Sequence, residues 1–191
     1  MNWTGRLTVV ALFGALALPA CAQSNQEINA RKENQQDRIA QGVQSGQLTA
    51  GETANLERKE AALNQEERDM KKVGPLTPAE RATINQQQNV LSKDIYQDKH
   101  NAAVQPPAKG EINQRKENQQ DRIAQGIRSG QLTAGETARL ESREASINRQ
   151  EARMKAANGG NLTSGERAKI NREQNQTSRA IYRDKHNARH Q

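Results

Sequence analysis

The sequence predicts an all-α protein built from two tandem copies of a three-helix hairpin unit. Three observations predict it. A long segment occurs twice, as EINARKENQQDRIAQGVQSGQLTAGETANLE from Glu27 and EINQRKENQQDRIAQGIRSGQLTAGETARLE from Glu111. Four short segments, GQLTAGE, GPLTPAE, GQLTAGE and GNLTSGE, begin at Gly46, Gly74, Gly130 and Gly160. Apolar residues recur at helical spacing between them, as in the seven-residue, coiled-coil-like run Leu56, Leu63, Met70.

The short segments set the helix boundaries. Glycine takes the left-handed backbone conformation that ends a helix. The threonine beyond it caps the next helix, and the glutamate three residues further on completes a capping box. The pairs are Thr49/Glu52, Thr77/Glu80, Thr133/Glu136 and Thr163/Glu166. Pro78 falls at the first helical position, where a missing N–H costs nothing. Helices are therefore expected over 26–45, 49–72 and 77–101, and over 110–129, 133–156 and 163–187. The copies themselves span 26–102 and 111–188. Between them AVQPPAKG (103–110) cannot stay helical through Pro106-Pro107 and reads as a linker.

The apolar stripes are thin. Ile28, Ile39 and Val43 serve the first helix, and Ile84, Leu91 and Ile95 the third, with Gln35 and Gln88 pointing the same way. Such low hydrophobicity overlaps with disordered chains. The expectation is an elongated structure with partial disorder as the alternative. Pairing of the two copies, or self-association, would add burial.

The first residues read as a targeting segment, 1–22. Arg6 precedes the twelve-residue apolar run LTVVALFGALAL, too short to span a bilayer and suited to a signal peptide. Ala20-Cys21-Ala22 is a small-residue cleavage site that releases a soluble chain near Gln23. Leu18-Pro19-Ala20-Cys21 also reads as a lipobox that would make Cys21 the acylated first residue, with Pro19 unusual there. Both routes place the protein outside the cytoplasm, in the periplasm or secreted, or on the outer membrane as a lipoprotein. Neither leaves thiol chemistry.

The chain carries 29 Lys+Arg against 22 Asp+Glu. That excess favours anionic partners, such as phosphorylated envelope glycolipid, wall polymer or acidic protein. Nucleic acid is not expected after export, and Tyr96 and Tyr182 give no stacking platform. Contact with membrane is expected only through a lipid on Cys21.

Sites of chemistry are sparse. Gly46, Leu48 and Glu52, or Gly160, Leu162 and Glu166, fit the frame of a calcium loop. The early ligand positions, however, fall on Gln41, Val43 and Ser45, and on Lys155, Ala157 and Gly159, without a carboxylate. His186 and His190 lie one helical turn apart and are the weak metal candidates, although a basic residue at a helix C-terminus is favoured by the dipole alone. No nucleophile motif, HExxH or phosphate loop is present. A thin core gives little means of tuning a pKa. No enzyme and no cofactor are expected. RKENQQDRIAQG, present twice, reads as a solvated face or a polar binding face.

The NQQDRI-QG, SGQLT-GE, NGG-LT and IY-DKHN segments resemble a group of exported bacterial helical-repeat proteins, a resemblance that implies the architecture and no activity. LTAGE, LTPAE, LTAGE and LTSGE are also similar to the motif of periplasmic stress chaperones of the LTxxQ type, with Glu where that motif has Gln. That similarity implies a holdase or a metal-responsive envelope protein. The expectation from the residues themselves is a non-catalytic envelope interaction or structural module.

Overall fold

The computed structural model describes residues 20–103 and 110–189, with side chains from Asn25 onward. The apolar targeting run, the side chain of Cys21, most of the linker and His190 lie outside what the structure describes. Among those described, six helices run α1 (Ala20–Ser45), α2 (Ala50–Lys71), α3 (Pro78–Lys99), α4 (Glu111–Arg128), α5 (Ala134–Ala157) and α6 (Ser164–Lys185). No strand occurs among them, and none of these helices is long and apolar enough to cross a membrane.

The capping signals set the boundaries as read. All four boxes form: Thr49, Thr77, Thr133 and Thr163 each accept from the backbone N–H of their glutamate, and each glutamate accepts in return from the threonine N–H. The helices that follow them start one residue after the predicted cap. α4 starts without a box, after Gly110, and α1 is described from Ala20, so that it includes the predicted cleavage position. Gly46 and Gly130 stop the helices before them with φ of 71° and 67°. One turn earlier, Gly42 and Gly126 do different work. A Cβ at either position would lie 2.6 Å from Cδ1 of Leu48 or Leu132. Both leucines are fully buried and cannot retreat, so the α1–α2 and α4–α5 corners need hydrogen there.

The unit is not a self-contained bundle. Its most extensive partner surfaces lie in the other copy: α2 packs mainly on α5, and α1 mainly on α4. One apolar cluster crosses the boundary. From the first copy it takes Ile39, Val43, Leu48, Leu56, Leu91 and Ile95, and from the second Ile123, Ile127, Leu132, Leu140 and Ile181. Pairing of the copies thus supplies the burial that each thin stripe lacks. Inside each unit α3 or α6 bridges the other two helices. A smaller cluster of Ile28, Leu63, Leu76 and Ile84 closes the far end of the first unit, with Met70 packed against it.

Candidate interaction surface and the buried acid seam

The repeated segment RKENQQDRIAQG was read as a solvated or binding face, and much of it faces inward instead. Gln35 Nε2 donates to the Gln88 carbonyl at 2.7 Å and to Ser92 Oγ at 2.8 Å. Gln88 Nε2 returns to the Ile28 carbonyl at 3.0 Å. Gln119 and Gln174 repeat both links in the second unit. Gln36 Nε2 reaches Glu57, and Gln120 reaches Glu141 at 3.1 Å. Amides suit this place because one side chain can satisfy a carbonyl and a hydroxyl of the facing helix without bringing a charge inside.

The DKHN segments latch each unit shut. Lys99 donates to Gln41 on α1, and Asn101 to the Glu52 carboxylate at 2.6 Å. Lys185 and Asn187 do the same to Gln125 and Glu136. Glu52 and Glu166, the terminal positions of the two calcium-loop frames, are therefore occupied by their caps, and by Asn101 and Asn158 respectively. His100 and His186 stand exposed at the C-terminal caps of α3 and α6. Each stacks on the tyrosine one turn before it, with ring centroids 4.1 and 4.2 Å apart. Each Nδ1 lies 2.7 Å from that tyrosine's carbonyl oxygen. Among the described residues no group of three or more His, Cys, Asp or Glu is placed to hold a metal ion.

The unexpected chemistry lies where α2 meets α5. Glu57, Glu60, Glu141 and Glu144 are buried to within 1 % exposure. One carboxylate oxygen of each has no hydrogen-bond partner. Burial pushes all four upward, since a carboxylate loses more by leaving water than a carboxylic acid does. For Glu57 desolvation is followed by repulsion from Glu60, the bond from Gln36 opposes both, and repulsion from Glu141 adds to the rise. Glu60 is raised to about 7 by desolvation, partly offset by Lys32. Glu141 reaches about 8 through desolvation, against the bond from Gln120. Glu144 reaches about 7, with Lys116 opposing. A thin core is expected to give little means of tuning a pKa, and the burial of these four carboxyls points the other way. Pairing the copies makes an interior that neither stripe has alone.

About two turns further along, the balance reverses. Glu67 and Glu151 are also desolvated, but each is held by two lysines, Lys32 with Lys71 and Lys116 with Lys155. Those contacts outweigh desolvation and lower both pKa values. The seam therefore carries carboxyls biased toward the neutral form at its centre and ion pairs toward its ends. The glutamates follow a helical stripe, 57, 60, 67 and again 141, 144, 151, alongside Leu56 and Leu140. That spacing was the available sequence signal.

Two open grooves flank the seam and are related by the duplication. One, of about 890 Å³, lies between α4, α5 and the α1–α2 turn, with Lys116, Gln120 and Asn148 on its walls. The other, of about 800 Å³, has Lys32, Gln36 and Asn64 in the same places. Their walls mix apolar and polar surface and carry charges of both signs.

Few large apolar side chains remain outside. Val73, Val90, Tyr96 and Tyr182 are the exposed ones among the described residues. The rest of the described surface is alanine and other small residues, amide, hydroxyl and charge. Comparison with known proteins finds no matching family model, no similar curated protein and no similar solved structure.

Proposed function

We propose that the chain is a non-catalytic exported envelope protein, an interaction module whose basic helical faces meet anionic partners. One observation carries this reading. The sizeable apolar side chains are almost all spent on the interior, most of them on joining the two copies, so what faces outward is a largely polar surface with an excess of cations. Such a surface recognises by charge. The chain freed of residues 1–22 is expected to co-sediment with envelope material at low ionic strength. Binding should fall steeply as salt rises, because the Debye length shrinks to about 10 Å at 0.1 M. Absent or salt-insensitive binding would overturn the reading.

A second reading, a periplasmic holdase of the LTxxQ-like kind, is favoured by the seam. Leu56 and Leu140 lie beside ionisable carboxyls, so a loosened seam would offer apolar surface to an unfolding client. It expects suppression of client aggregation, followed by light scattering, to strengthen as pH rises through the range in which those carboxyls ionise. A pH-independent result, or no suppression, removes it.

A further inference from the structure

The basic excess is not shared by the two copies. Residues 26–102 hold 11 Lys+Arg against 12 Asp+Glu, and residues 111–188 hold 15 against 10. The first copy is thus close to neutral and the second strongly basic, although both supply equivalent residues to one core. What differs is the exposed side.

The difference is concentrated on α6 and the neighbouring edge of α5. Lys169, Arg172, Arg179 and Arg183 are all exposed, and with Gln176 they follow a three-and-four spacing that puts them on one face of α6. That row runs about 21 Å along the helix. It points away from the core, which α6 meets through Ile170, Gln174 and Ile181. On α5, Arg139 and Arg153 flank Ser146 at seven-residue spacing, with Arg143 beside them, all exposed. This edge borders α6, because Gln150, seven residues after Arg143, donates to Glu173 at 2.6 Å.

The matching positions of the first copy are Thr83, Gln86, Lys93 and Gln97 on α3, and Asn55, Lys59 and Asp69 on α2. Lys59 is also neutralised there by Asp94 at 2.6 Å. In the second copy Asp94 is replaced by Ala180, which leaves Arg143 without that counter-charge. On the basic face only Arg183 has an ion-pair partner, Asp184 at 3.0 Å.

We infer that this α5–α6 face is a docking surface for the phosphate-bearing head groups of an anionic lipid membrane. The inference rests on the anionic-partner reading and narrows it to one face and one partner class. Two adjacent rows of cations form a broad patch, which suits a plane of phosphates better than a single polymer strand. Arginine predominates over lysine, and its planar fork matches phosphate oxygens two at a time. Neither row contains an apolar side chain that could insert, so attachment is electrostatic and peripheral.

The test uses the chain from residue 23 onward and vesicles of phosphatidylcholine, with and without phosphatidylglycerol. A face variant carries Lys169→Gln, Arg172→Gln, Arg179→Gln and Arg183→Gln together. A control variant loses the same charge from the first copy through Lys59→Gln, Arg68→Gln, Lys72→Gln and Lys93→Gln. Binding to anionic vesicles alone is expected, with the face variant weakened up to about a thousandfold and the control far less. A gain variant, Thr83→Lys with Gln86→Arg and Gln97→Arg, builds the row on α3 and should bind more tightly. Circular dichroism confirms that each variant is folded. Equal losses in the face and control variants would overturn the assigned face and leave the anionic reading standing. Tighter binding to dextran sulfate or polyaspartate than to anionic vesicles at the same salt would overturn the lipid assignment. No binding to vesicles, polyanions or envelope material would remove both readings.

Discussion

Raising the pH from about 5 to about 8.5 is expected to lower the urea midpoint of this protein markedly, the reverse of ordinary acid denaturation. Glu57, Glu60, Glu141 and Glu144 are fully buried between the copies, and their folded pKa values lie above the unfolded one. A group raised in this way binds its proton more tightly when folded. Its contribution is complete below the unfolded pKa and is lost as pH rises through the folded value. For Glu60 and Glu144 that window is about 4.5 to 7, and for Glu141 about 4.5 to 8. Each withdraws on the order of 3 kcal/mol before relaxation, and the seam as a whole ~5 kcal/mol or more. Glu67 and Glu151 act in the opposite sense. Their lowered pKa values give stability that is present above the unfolded pKa and lost only in stronger acid. The maximum therefore falls in mildly acidic solution. Glu57→Gln combined with Glu141→Gln removes the pair that repel across the seam and should flatten the alkaline limb, raising the midpoint near pH 8.5 while changing it little near pH 5. A urea midpoint that holds constant between those pH values would show that the carboxyls ionise without penalty.

Local structure was legible because each local signal has one physical meaning. A glycine, then threonine, then glutamate three residues later leaves a backbone few options, and all four such segments became capped helix starts. The inward stripe was also legible, including its polar members Gln35 and Gln88, which are buried. What a stripe cannot specify is its partner. Leu56 is as compatible with a neighbour in its own unit as with Leu140, and only the three-dimensional packing places both in one cluster. The glutamates were hidden for a related reason. Glu57 and Glu60 sit on a helix crowded with Arg58, Lys59 and Glu66. By composition alone that run is a solvated face. The turn that faces α5 decides otherwise. Residues 1–19, the side chain of Cys21 and His190 lie outside what the structure describes, so export, acylation and a His186–His190 metal site rest on the sequence.

A single copy, residues 26–102 expressed alone, is expected to lose its fold as a monomer and regain it as a homodimer. The reason lies in how its helices spend their apolar surface. α2 and α1 pack most extensively on α5 and α4, which belong to the other copy. Removing that copy would lay open Ile39, Val43, Leu48 and Leu56, all buried in the shared cluster. Within the unit, α1 and α2 touch only sparingly and depend on α3 to join them. The second copy offers nearly the same side chains as the first: Ile123 for Ile39, Ile127 for Val43, Leu132 for Leu48 and Leu140 for Leu56. A second molecule of residues 26–102 can therefore take its place, with α2 against α2 and α1 against α1 in a two-fold arrangement. The carboxyl pair would then be Glu57 with its own copy, so the dimer should tighten in mild acid. In the whole chain the tether supplies the partner at high effective concentration. Cut free, the unit must find it by mass action, and its stability becomes inseparable from protein concentration. Sedimentation equilibrium and circular dichroism over a dilution series should show mass and helicity falling together. A stable helical monomer at the lowest concentration would mean that the unit's own α1–α3 and α2–α3 contacts suffice, and that the shared core is an addition to an already folded domain.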